Sequence, residues 1–174
     1  MTKTFAAIAM AMALVTMTAT GAEAASGYMT DRTYDTTTAK GSPSSNQKAA
    51  ADLTRVDYWH TSDGKVAFRY KVRDLRSDYR MTGFTWNANQ TPRVWVNNTP
   101  GNTYTRVSVN GYVKCEATTV RDYSANTATV KFARSCFPKG VRYTPYVKAE
   151  YYSSNVEQRV TDNAGPGTSI VLNP

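Results

Sequence analysis

Alternation of apolar and polar residues with a period of two dominates the chain beyond Asp52, and it is sharpest between Lys65 and Arg73. Val66, Phe68, Tyr70 and Val72 occupy one set of positions, while Lys65, Arg69, Lys71 and Arg73 occupy the other. Successive side chains of a strand point to opposite faces, so this pattern predicts one dry side and one wet side. Noisier alternation predicts further strands over Leu53–His60, Tyr79–Trp86, Arg93–Asn97, Tyr104–Val109, Tyr112–Cys115, Thr118–Asp122, Thr127–Ala133, Tyr143–Tyr152 and Val156–Thr161. Turn residues separate them: Ser62-Asp63-Gly64 suits a tight hairpin, Asn97 to Asn102 a wider one, and Asn110-Gly111 a compact third. No stretch carries a convincing 3.6-residue apolar period, and no repeat of fixed length is present. Short strands rich in β-branched and aromatic residues, with turns between them, predict an all-β, two-layer antiparallel sandwich, immunoglobulin-like or jelly-roll-like. A closed β-barrel is the alternative architecture.

The first half-hundred residues break this rhythm. Lys3 precedes an apolar run from Phe5 to Met17, and a small-residue stretch ends in Ala22-Glu23-Ala24. That arrangement predicts a signal peptide over residues 1–24, because the run is shorter than the ~20 residues a bilayer-spanning helix needs and ends in a peptidase-type site. Residues 25–51 are polar and rich in Thr, Ser and Ala around Gly41-Ser42-Pro43. They read as an extended leader that is either a loose arm or a short strand on a sheet edge. Residues 52–174 form the expected domain, and the mature chain is expected to be secreted, extracellular or attached to the cell wall.

The formal net charge of +8 is unchanged by removing Lys3 and Glu23. A positive balance favours anionic partners such as a cell-wall polymer or an acidic polysaccharide, and equally serves solubility. The chain has two cysteines, Cys115 and Cys136. An even count in an exported chain predicts a disulfide between them, since that compartment does not keep thiols reduced.

Catalytic constellations are scarce. His60 is the only histidine, and it stands at a strand end before a turn with no nucleophile elbow anywhere in the chain, so an exposed, idle role is expected. Clustered His/Cys ligands and calcium-loop spacing are both missing, as are glycine-rich phosphate cradles, so neither metal nor cofactor is assigned. One conceivable oxygen-ligand site would arise if the leader folds back and brings Asp35 and Asp52 toward Asp162-Asn163. Glycosidic hydrolysis could draw on Asp57, Asp74, Asp78, Glu116, Glu150 or Glu157, but no spacing selects a pair.

Two surfaces remain as candidate ligand sites. In the first, Arg93, Trp95 and Asn97 share one strand face while Tyr104 and Arg106 share a face across the next turn. Hairpin pairing would bring Trp95 near Tyr104 with Arg93 and Arg106 beside them, a stacking surface with cationic edges or simply a cross-strand pair. The second is the row Lys65, Arg69, Lys71 and Arg73, which could track a polyanion or merely protect an edge strand. The glycine and aromatic signatures of nucleic-acid modules are absent, which disfavours nucleic acid.

The run Asp52-Leu53-Thr54-Arg55-Val56, the basic strand ending Val72-Arg73-Asp74-Leu75, a mid-chain cysteine, and Arg134-Ser135-Cys136-Phe137-Pro138 followed by Val141-Arg142-Tyr143 form a pattern. It resembles a group of small secreted proteins abundant in actinobacteria, over residues 52 to 162. The resemblance implies a β-sandwich with its two cysteines bridged and leaves function open, since most members have no assigned activity. The Tyr-, Asn- and Thr-rich middle, Trp86 to Tyr112, departs from that pattern. The expected function is non-catalytic binding of an envelope glycan or anionic polymer. The alternatives are a structural or protein-interaction module and a hydrolase with scattered carboxylates.

Overall fold

The computed structural model describes residues 26–76, 81–86, 92–99, 102–109, 112–153 and 158–174, with side chains described over 26–76, 115–152 and 158–174. The expected signal peptide, Tyr79, Val156 and the Asn110-Gly111 turn lie outside the described residues. Strands run β1 Ser26–Thr30, β2 Thr37–Lys40, β3 Leu53–His60, β4 Lys65–Val72, β5 Met81–Trp86, β6 Pro92–Thr99 and β7 Asn102–Val109. They continue with β8 Tyr112–Glu116, β9 Thr118–Asp122, β10 Thr127–Ala133, β11 Arg142–Tyr143, β12 Tyr146–Ser153, β13 Gln158–Ala164 and β14 Ile170–Val171. The first sheet is ordered β1-β3-β4-β10-β9, the second β2-β13-β12-β5-β6-β7-β8, and β11 pairs separately with β14. Every pairing is antiparallel, and the sheets do not close into a barrel. The sandwich reading holds and the barrel alternative falls.

Alternation in β4 becomes its two faces: Val66, Phe68, Tyr70 and Val72 are buried, while Lys65, Arg69 and Lys71 are exposed. The inner face continues into Val56 and Tyr58 of β3 and Val130 and Phe132 of β10, and meets Val147, Ala149 and Ala164 of the second sheet in one core. Ring contacts run through it, with centroids 5.8 Å apart for Tyr58 and Phe68, 5.7 Å for Phe68 and Phe132, and 5.1 Å for Phe132 and Phe137. Offset and tilted aromatic pairs contribute about 0.5–1.5 kcal/mol each beyond their buried area.

The leader is built into the sandwich as two short strands and a helix. β1 joins the first sheet beside β3, and β2 joins the second beside β13. Helix α1, Ser45–Ala51, was not visible as a 3.6-residue period because it is a single short run of small residues. Its local signal is a capping box: the Gln47 amide donates to Ser44 Oγ, and the Ser44 amide donates to Gln47 Oε1. Ala49, Ala50 and Ala51 then bury its inner side. The strand expected over Tyr143–Tyr152 is divided, with β11 ending before Pro145, which has no amide proton to give a ladder.

Cys115 and Cys136 are bridged, with Cα atoms 5.7 Å apart. The bond ties β8, an edge of the second sheet, to the 3-10 turn Arg134–Cys136 that follows β10 of the first. Closing this loop stabilises the fold by about 3 kcal/mol through the entropy of the unfolded chain.

Candidate functional site

The outer face of the first sheet carries Lys65, Arg69 and Lys71 of the cationic row expected along β4. Register places Tyr28 of β1 opposite Asp57 of β3, Asp57 opposite Arg69 of β4, and Arg69 opposite Thr129 of β10. Arg55 lies beside Lys71, and Trp59 beside Ala67. The two arginines are organised by rings and by one acid. The Arg55 guanidinium stands 4.5 Å from the Tyr28 ring centre and that of Arg69 5.5 Å from Trp59. Arg55 Nε donates to Asp57 Oδ1 at 2.7 Å, and Arg69 Nη2 donates to Asp57 Oδ2 at 3.0 Å. Five side chains from three strands thus form a ladder, Tyr28, Arg55, Asp57, Arg69 and Trp59. Tyr28 remains 57% exposed at one side, and Val120 of β9 is 65% exposed at the other.

The row expected along β4 is partly broken. β4 lies between β3 and β10, in the middle of its sheet, so its cations do not guard an edge. Ala67 interrupts them, and Lys65 pairs with Asp63 at 2.8 Å. Arg73 lies past the strand end and turns away: its Nε donates to the fully buried Asp52 at 2.9 Å while its guanidinium stands 4.0 Å from the Tyr34 ring centre. Arg55, Trp59 and Tyr28 complete the face from neighbouring strands. Alternation along β3 puts Arg55, Asp57 and Trp59 on one side, a signal available in the sequence but obscured by the mixture of charge and aromatic character.

Trp95, Tyr104, Arg93 and Arg106 belong to the second sheet. Backbone register pairs Trp95 with Arg106, Asn97 with Tyr104 and Arg93 with Ser108, so the two hairpin strands do meet. The side chains of these four lie outside the described residues. Pairing of Thr99 with Asn102 shortens the expected wide turn to the two intervening positions, 100–101, which themselves lie outside the described residues. The two candidate surfaces therefore sit on different sheets.

His60 is not exposed. It is 8% accessible and faces inward, with Nε2 sealed and without a hydrogen-bond partner. Burial, and then the nearby Arg134 charge, depress its pKa, against a counter-effect from the Val171 carbonyl. The acids named for hydrolysis are dispersed: Asp57 is held by two arginines, Glu150 by Arg159 at 2.7 Å and Lys148 at 3.2 Å, and Asp78 and Glu157 lie outside the described residues.

The expected convergence of leader acids on β13 does occur. Asp35 and Asp162 come together with Asp31, which sequence reasoning missed, and Asp52 stands alongside. Carboxylate oxygens of Asp31, Asp35 and Asp162 lie within 4.8 Å of one another, tighter than the ~5 Å or more that glycosidic hydrolysis leaves between its two acids. Burial foremost, then the charges of Asp31 and Asp35, push the Asp162 pKa up to about 6, against hydrogen bonds from the Leu53 and Asn163 amides.

Neither a family model nor a curated protein sequence matches this chain. Among the described residues, no helix is long and apolar enough to cross a membrane.

Proposed function

We propose that the protein is a secreted, non-catalytic binding module that takes an anionic polysaccharide on the outer face of its first sheet. The carrying observation is the ladder in which two guanidinium groups are stacked on Tyr28 and Trp59 and braced by a shared Asp57. A guanidinium held in place by a ring and a carboxylate loses less conformational freedom when an acidic sugar binds. Exposed Lys71 and Lys131 stand on the same face, so positive charge outnumbers Asp57 there. Adjacent strands about 4.8 Å apart give a flat platform roughly 19 Å wide, suited to an extended chain rather than a small enclosed ligand. The disulfide fits an oxidising compartment outside the cell, in keeping with the expected leader peptide.

Isothermal titration of a polyuronate against the mature protein tests this reading, with an uncharged glucan as the comparison. Binding should weaken steeply between about 50 and 200 mM salt, and the double variant Arg55→Ala/Arg69→Ala should bind at least about tenfold more weakly. Trp59→Ala should weaken it too, by removing the support of Arg69. Equal affinity for the uncharged glucan, or loss confined to Trp95→Ala and Tyr104→Ala, would move the site to the second sheet and overturn the assignment.

A further inference from the structure

Among the described residues, the seam where the leader crosses between the two sheets is where buried carboxylate oxygens lack a donor. Residues 31–36 connect β1 in the first sheet to β2 in the second, and they carry Asp31 and Asp35. Asp162 comes from β13, where its Oδ2 accepts from the Leu53 amide at 2.7 Å, and its Oδ1 accepts from the Asn163 amide at 2.9 Å. Asp52, immediately before Leu53, is 0% accessible. Its Oδ2 accepts from the Tyr34 amide at 3.0 Å and from Arg73 at 2.9 Å, which fixes the carboxylate against the Asp31–Asp35 segment. Among the described residues, the Arg73–Asp52 contact is the ion pair that this group makes.

Two oxygens there have no donor. Asp52 Oδ1 and Asp31 Oδ2 are each sealed from solvent and accept no hydrogen bond. A buried carboxylate oxygen without a donor is costly, because neither water nor protein replaces its lost hydration. Asp52 is not one of the three acids whose oxygens converge within 4.8 Å, so its orphaned oxygen is an observation separate from that convergence. The Asp52 charge bears on Asp31, so a cation held by the converging three would answer it as well. Two oxygens bound to one calcium ion at ~2.4 Å stand no more than about 4.8 Å apart, and calcium takes its ligands from carboxylates and water in flexible geometry.

We propose that Asp31, Asp35 and Asp162, beside the buried Asp52, form a binding site for a hard divalent cation of the calcium class, which pins the leader across the seam of the two sheets. Asp31, Asp35 and Asp162 supply the converging oxygens, the Asp52 charge adds to the negative potential at Asp31, and water completes the shell on the exposed Asp35 side. The upward shift at Asp162 accords with this, since a cation would favour its ionised form. Magnesium fits less well, because it demands near-octahedral geometry at about 2.0–2.1 Å and gives up its waters reluctantly.

The test uses the full mature chain stripped with a chelator. Terbium, read through luminescence sensitised by tyrosine, should saturate at one ion per chain and be displaced by calcium. Calcium at a hundred times its dissociation constant should raise the melting temperature by about 5–10 °C. Asp35 is exposed and makes no hydrogen bond that holds the fold, so Asp35→Asn should remain folded yet bind about tenfold more weakly, while Asp122→Asn in β9, far along the sheet, keeps full affinity. The absence of both terbium emission and a calcium-dependent melting shift up to about 10 mM would overturn the site, as would undiminished affinity in Asp35→Asn.

Discussion

The outer face of the first sheet and the seam under the leader are both crowded with charge, yet they treat it in opposite ways. On the face, Asp57 is shared by Arg55 and Arg69, and every member of the ladder keeps some access to water. At the seam, Asp31, Asp35 and Asp162 converge beside Asp52, which alone of the four is paired with a guanidinium among the described residues, and two of the four are buried. The difference lies in where the residues come from. The face is assembled from neighbouring antiparallel strands, where register sets charge opposite charge. The seam is assembled where the chain leaves one sheet for the other, so no strand register sets acid against base there.

Disturbing β1, the strand that contributes to both regions, should weaken both at once. Gly27 of β1 faces the buried Tyr58, and a Cβ there would lie 2.5 Å from that ring. Tyr58 is held by its own hydrogen bond to the Thr168 carbonyl and cannot yield freely. Gly27→Ala should therefore cost about 1–3 kcal/mol in chemical denaturation. Because β1 carries Tyr28 and leads into Asp31, the same variant should weaken both polymer and cation binding.

A subtler pair sharpens the contrast. With chelator present, Asp57→Asn should lower stability by about 0.2–1 kcal/mol, because it removes the carboxylate from an exposed ion-pair network. Asp35→Asn should shift it the other way, by up to about 1 kcal/mol, because it relieves repulsion among like charges. Melting curves of the two variants against the parent protein check the signs. Destabilisation by both would mean that the seam is already neutralised within the chain.

The smallest expected effect concerns His60, which belongs to neither region and so serves as a reference for pH. Its folded pKa lies below the ordinary 6.5, so the unfolded chain binds more protons as the pH falls through that value. Stability from this group is complete above 6.5 and declines below it, until the folded-state pKa is passed. Melting temperature measured from pH 7.5 down to 5.5 should fall less steeply in His60→Gln than in the parent. A parallel slope would assign the pH response to other groups.

How much of this was legible depended on distance along the chain. β4 announced itself because Val66, Phe68, Tyr70 and Val72 needed only their immediate neighbours to define a face. Both faces of β4 followed from such local alternation, whereas the destiny of Arg73 did not: its partner Asp52 is reached only once β3 and β4 are paired. His60 was misread for a related reason, since its position before a turn suggested solvent while the Val171 backbone of β14 and Arg134, both distant in the chain, lie against it. The seam was half legible. Asp35, Asp52 and Asp162 could be suspected of meeting if the leader folded back, but Asp31 joined them only because β1 and β2 enter different sheets, which no local periodicity encodes.

The disulfide has a counterpart across the molecule. β1 and β2 are the edges of the two sheets on one flank, and β9 and β8 are the edges on the other. One flank is laced by the Cys115–Cys136 bond and the single residue Ala117 between β8 and β9, and the other by the crossing leader. A molecule fastened this way has a redox clasp on one side and an electrostatic one on the other, so thiol reagents and chelators should loosen opposite margins. Hydrogen exchange after each treatment should map its first opening to a different end of the strand order.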